Sequence, residues 1–158
     1  MVFDRARFRG LSVERVEADG DDLEAVAKAL AGSQADVVHL LAFLPESTLL
    51  ALYVASDAVL ANSGKEPFGL VGLEVMASGG VAVCGSTGED YAEPFGNAIV
   101  CDGEDGRELA EYVRALHADP ERGERIRQAG FTTANRYVWP LVLETLALKL
   151  GYVRRIGR

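Results

Sequence analysis

Residues 57–84 read DAVLANSGKEPFGLVGLEVMASGGVAVC. Two short apolar runs, Asp57-Ala58-Val59-Leu60-Ala61 and Val81-Ala82-Val83-Cys84, enclose a helical segment from Phe68 to Ser78 that Gly79-Gly80 terminates. The pattern is strand, helix, strand. Strands joined through a helix are parallel neighbours with a right-handed crossover.

The same alternation runs outward in both directions. Upstream, Leu11 to Glu17 reads as a strand, and Gly20-Asp21-Asp22 leads into a helix from Leu23 to Ala31. Its aspartates stand where the helix dipole favours them. Within Asp36 to Phe43, Val37-Val38-His39-Leu40-Leu41 is a continuous apolar run, the pattern of a strand buried on both faces. Pro45-Glu46-Ser47 starts a helix through Tyr53. Downstream, turn-rich Gly85-Ser86-Thr87-Gly88 precedes a last strand at Asn97 to Cys101, and three helices follow, over Arg107 to His117, Pro120 to Arg136 and Trp139 to Leu150. The prediction is an α/β domain spanning 1–158, a doubly wound parallel sheet of about five strands with C-terminal helices.

Composition narrows the function classes. Of 158 residues, 49% are hydrophobic and 25% charged, which predicts a globular chain with a real core. The net charge of −8 argues against nucleic acid and anionic membrane surfaces as partners. Cys84 and Cys101 each follow an apolar run and read as small buried residues, not a metal cluster or disulfide framework. No signal peptide opens the chain and no apolar run is long enough to span a bilayer, so a cytoplasmic location is expected.

The chemistry concentrates between Ser63 and Gly80. Glu66 and Glu74 stand on either side of the turn Pro67-Phe68-Gly69, one in the loop and one more than a turn inside the helix. Between them lie the N–H groups of a helix N-terminus, an anion site. Carboxylates suit sugar and ribose hydroxyls and a helix N-terminus suits phosphate, so the combination reads as a nucleotide-sugar site. In a parallel sheet this segment falls at the carboxyl ends of the strands, where ligands collect.

Other residues have plainer readings. The dipole alone favours acids near a helix start, so Glu66 and Glu74 also have a purely structural reading. Lys65 either neutralises a phosphate or pairs with Glu66 on the surface. Gly85 to Gly88 lacks the ending of a phosphate-binding P-loop. Glu89, Asp90 and Glu93 read as solvated acids, with no metal site expected. His39 reads as a core histidine and His117 as a helix terminator, neither beside a nucleophile. Tyr137 and Trp139 read as packing anchors. Arg122, Arg125 and Arg127, interleaved with Glu121 and Glu124, read as a solvated face.

Pro67-Phe68-Gly69-Leu70-Val71 between two glutamates, followed by Glu74-Val75-Met76-Ala77-Ser78-Gly79-Gly80, resembles the C-terminal donor-binding domain of retaining GT-B glycosyltransferases. That large family includes sucrose synthase and bacterial mannosyl- and glucosyltransferases. Val38 to Pro45 resembles its strand ending in a Phe-Leu-Gly-like turn, and Leu52 to Val59 its Leu-Tyr-x-x-Ala-Asp-Val segment. Asp119-Pro120 to Trp139 resembles its C-terminal helices, so the likeness covers roughly Val37 to Gly151.

The resemblance implies a Rossmann-like fold and transfer of a sugar from a nucleoside diphosphate with retention. It implies that Glu66 contacts the donor sugar, with the catalytic role. Backbone amides of Phe68, Gly69, Leu70 and Val71 would face the sugar and distal phosphate, and Glu74 the ribose. Leu41 and Phe43 would lie beside the base, and Thr87 or Gly88 near the donor pocket. It implies no cofactor and no required metal, because the helix N-terminus and basic side chains stabilise the leaving diphosphate.

The departures are equally specific. The family's C-terminal domain opens with a Gly-Arg strand end and a later Lys that hold the diphosphate, and nothing in Met1 to Gly32 matches them. Arg5, Arg7, Arg9 and Lys28 stand in other contexts. The resemblance thus implies that the family's first strand and helix are absent, with its N-terminal acceptor domain, and that the chain alone is inactive. Removing strand 1 from the order 3-2-1-4-5-6 and relabelling leaves 2-1-3-4-5, a flavodoxin-like arrangement. The sheet either closes or leaves an exposed edge through which a second copy pairs; the closed sheet is the expectation. Two alternatives stay open: a non-catalytic binding or assembly module that keeps the fold as scaffold, and a flavodoxin-like receiver or cofactor domain. The second lacks an acidic phosphoacceptor cluster and a flavin loop.

Overall fold

The computed structural model describes residues 6–7, 9–61, 67–85, 90–101 and 106–151. The chain divides between Leu49 and Leu50 into two compact units.

The first unit is one βαβ turn: β1 (Val13–Glu17), α1 (Leu23–Gly32) and β2 (Val37–Leu41). The strands pair in parallel, from Val13 opposite Val37 to Glu17 opposite Leu41. Asp22 caps α1 by accepting the Ala25 N–H at 2.9 Å, which satisfies one of the donors a helix start leaves open. A clasp locks the strand starts together. The Asp36 carboxylate accepts the Ser12 N–H at 2.8 Å and the Ser12 hydroxyl at 2.7 Å, and the Asp36 N–H donates to Ser12 Oγ at 2.9 Å. These bonds, the side-chain one foremost, hold the Asp36 carboxyl below its ordinary value. A depressed carboxyl favours the folded state above its unfolded pKa, and the contribution is lost as the pH falls through the folded value. β2 is half-buried at every position, short of the burial on both faces that its apolar run predicts. α2 (Glu46–Ala55) runs through the division between the units.

The second unit holds β3 (Val59–Leu60), α3 (Leu70–Ser78), β4 (Ala82–Cys84), β5 (Ile99–Val100), α4 (Gly106–Ala118), α5 (Pro120–Ala134) and α6 (Trp139–Lys149). Its strands form a parallel sheet of order β3-β4-β5. β4 is the buried centre and its alternation sorts the core. Ala82 and Cys84 join Leu73, Val75, Met76 and Tyr91 on one face. Val81 and Val83 join Ile99, Cys101, Leu116 and Ile126 on the other. The two cysteines therefore occupy opposite clusters, both buried and neither in a disulfide.

Every predicted strand and helix is present. The two ladders, β1-β2 and β3-β4-β5, are both runs of the predicted order 2-1-3-4-5. They form two sheets among the described residues where one continuous sheet was expected. α3 starts at Leu70, two residues later than predicted, because Gly69 adopts a left-handed conformation that ends the loop before it. Among the described residues no helix is long and apolar enough to cross a membrane.

The arginines of α5 correct the expectation of a solvated face. Arg127 donates to the carbonyls of Gly79 and Ser56, each at 3.0 Å, and so satisfies acceptors at the ends of α3 and α2. The Arg122 guanidinium lies 4.6 Å from the centre of the Phe95 ring. Arg125 alone pairs loosely with Asp119 and Glu121, at 3.7 and 3.9 Å.

Buried Asn97 ties the β5 approach to α5. Its Oδ1 accepts the Glu93 N–H at 2.7 Å, and its amide donates to the Tyr91 carbonyl at 2.8 Å and to Thr133 Oγ1 at 2.9 Å. Asn97→Ala strands these partners beside a cavity and should destabilise the second unit by about 2–3 kcal/mol. Urea unfolding followed by tyrosine fluorescence checks this; a midpoint within error of the wild type contradicts it.

Candidate functional site

The site is built where β3 hands over to α3. β3 ends at Leu60, Ala61 is buried behind it, and α3 opens at Leu70. Glu66 and Lys65 lie outside the described residues, as do Ser86 to Glu89, so Thr87 and Gly88 do too.

Gly69 is the N-cap of α3, with φ 76° and ψ 55°, and has no side chain to cap the helix. A side chain at this φ is strained, so the position calls for glycine. The N–H groups of Leu70, Val71 and Gly72 belong to the first turn and have no acceptor within the helix. They carry the positive end of the helix dipole. The helix interior supplies the reason for its tilt: Gly72, Leu73, Val75 and Met76 are buried, whereas Leu70, Val71 and Glu74 face out. Glu74 thus lies one turn along from Leu70 on the exposed side. Burial foremost, then the Glu74 carboxylate, pushes the Tyr53 hydroxyl above its ordinary value.

The structure therefore brings Phe68, Gly69, Leu70, Val71 and Glu74 together at one helix start. Leu41 and Phe43 belong to the first unit. Leu41 ends β2 half-buried, and Phe43, two residues beyond the strand, is 92% exposed.

Tyr91 is the site residue that the sequence reading passes over. It is 4% exposed, and its hydroxyl donates to the Gly69 carbonyl. Its ring meets Phe68 at 5.9 Å and Tyr137 at 5.9 Å, and Phe68 meets Tyr137 at 5.8 Å, closing an aromatic triad. Tyr137 is thereby a packing anchor, as predicted, whereas Trp139, read the same way, is 75% exposed. The signal in the sequence is Gly72. A glycine inside a helix costs stability and marks a close approach. Here a Cβ would overlap the Tyr91 hydroxyl and stand 2.9 Å from Cys84 Sγ.

The histidines lie on other elements. His39 is half-buried within β2. His117 Nδ1 lies 3.7 Å from Asp57 Oδ1, both largely exposed, beside a cavity of about 230 Å³ that Val81 and Arg127 also line. Asp57 and Val81 precede β3 and β4, so this cavity opens at the amino ends of the strands, whereas Gly69 follows a carboxyl end.

The family model for glycosyl transferases group 1 matches residues 19–133, most of the chain. The chain belongs to this family. A D-inositol 3-phosphate glycosyltransferase of Thermobispora bispora is 34% identical over 115 residues, which cover 72% of this chain and 27% of the relative. The chain thus spans about a quarter of that relative's length. Among solved structures, Anabaena HepE in complex with UDP-glucose superposes with a TM-score of 0.63 at 22% identity, covering 82% of this chain and 35% of HepE. The C-terminal domain of a group 1 glycosyl transferase, LpcC, of Francisella tularensis gives 0.57 at 23% identity, covering 71% of this chain and 58% of that one. The fold is that of a GT-B C-terminal domain, as the sequence resemblance implies.

Within this group 1 glycosyl transferase chain the fit of Tyr91 against α3 has a measurable consequence. Glycine to alanine inside a helix ordinarily stabilises by about 1 kcal/mol. Gly72→Ala should instead destabilise the second unit by about 1–3 kcal/mol through overpacking. Thermal unfolding by circular dichroism decides the sign, and a raised midpoint contradicts the packing described.

Proposed function

We propose that the chain is the donor-binding domain of a retaining glycosyltransferase and holds a nucleoside diphosphate sugar at the start of α3. The observation that carries the reading is a glycine-started helix, capped by no side chain among the described residues, with Glu74 on its exposed face one turn in. Family membership and the UDP-glucose bound to HepE support it.

In this reading the backbone N–H groups from Phe68 to Val71 bind the sugar and the distal phosphate. Glu66 receives the sugar hydroxyls and carries the catalytic role. Glu74 receives the ribose hydroxyls, and Leu41 and Phe43 flank the base. Charge on the departing diphosphate grows as the glycosidic bond breaks, and fixed N–H dipoles stabilise it without a metal. A chain of net charge −8 has no global field for an anion, so the attraction has to be local. The acceptor and the opposing face of the diphosphate belong to a partner domain, and the chain alone binds donor weakly and transfers nothing.

Calorimetric titration with UDP-glucose, GDP-mannose and ADP-glucose tests this. One donor should bind in the millimolar range or tighter, and Glu74→Gln should weaken it about tenfold or more, the worth of a charge-assisted hydrogen bond. No heat with any donor, and none altered by the substitution, favours a scaffold role. Sugar transfer by the purified chain would overturn its assignment as a donor half.

A further inference from the structure

The structure assigns Tyr91 a positioning role: its hydroxyl holds the Gly69 carbonyl so that the first-turn N–H groups of α3 are aimed outward as a preformed diphosphate cradle. This rests on the donor-site reading above.

Three observations converge on Tyr91. The hydroxyl reaches Gly69, the residue whose left-handed backbone sets the direction of the first turn. The ring is buried and wedged between Phe68 and Tyr137, so the hydroxyl has little freedom to leave. Gly72 leaves room for that oxygen and for no side chain of its own. The Tyr91 carbonyl is in turn held by the Asn97 amide at 2.8 Å, and Asn97 is anchored to Thr133 of α5. The turn before α3 is thus referenced to the far helix through fixed hydrogen bonds. Gly69 has no side chain with which to cap α3, and the Tyr91 hydroxyl holds this residue by its carbonyl.

A cradle made of backbone donors works only if they are aimed before the anion arrives, since ordering them on binding weakens affinity. Removing the hydroxyl while keeping the ring should leave the fold and loosen the anion site. Inorganic pyrophosphate is the probe, followed through the amide resonances of Gly69, Leu70, Val71 and Gly72. In the wild type these four should shift on titration. In Tyr91→Phe the affinity for pyrophosphate should fall about tenfold, the worth of one well-placed hydrogen bond. Tyr137→Phe should match the wild type. Gly72→Ala reaches the same contact from the opposite side, by displacing the hydroxyl, and should weaken the response equally.

An unchanged pyrophosphate affinity in Tyr91→Phe, or in folded Gly72→Ala should Tyr91→Phe fail to fold, overturns the inference and leaves the donor-site reading standing. Wild-type amides that do not respond overturn the inference whatever the donor titrations give. A merely structural Tyr91 would lower the melting temperature without moving the anion affinity of the folded protein.

Discussion

The second unit depends on how closely α3 can be approached from outside. Gly72 admits the Tyr91 hydroxyl and Cys84, and Gly130 of α5 comes close enough that a Cβ there would stand 3.0 Å from the Asn97 carbonyl and 3.1 Å from Met76 Cγ. Interiors are packed to crystal density, so each contact transmits position. With α3 gripped on both sides, β4 beneath it is fully buried, and the loop at its N-terminus has a fixed carbonyl to work from. The two glycines cost helix propensity and return a defined helix start.

That start shows how an acidic protein can present a site for an anion. Its side chains supply net negative charge, whereas its backbone supplies oriented N–H groups that no titration can alter. Arg127 of α5 is engaged elsewhere: it satisfies the Gly79 carbonyl at the opposite end of α3. Among the described residues, the helix N-terminus offers its dipole, with the carboxylate of Glu74 one turn along on the exposed side.

Much of this could be read in the chain. Asp57 to Cys84 announces strand, helix and strand because apolar runs, a helical segment and a Gly-Gly stop follow one another with nothing to contradict them. The grouping of Phe68, Gly69, Leu70, Val71 and Glu74 was legible because they are neighbours on one helix, and local geometry suffices to gather them. Leu41 and Phe43 were named from a resemblance alone, and local geometry does not relate them to that group. Arg127 was misread because its interleaved glutamates look solvated, whereas its reach to Gly79 and Ser56 depends on where α5 lies. Tyr91 was passed over because it follows a turn-rich stretch and carries no periodic signal.

The amino-acid sequence by itself determined the type and order of the elements, the parallel pairing within βαβ units and the family, since these follow from periodicity, turn residues and short motifs. Only the tertiary structure decided that the strands fall into two ladders, that Cys84 and Cys101 sit in opposite core clusters, and that Tyr91 reaches Gly69. Those outcomes depend on contacts between residues far apart in the chain, where close packing selects the partner and local propensity has no say.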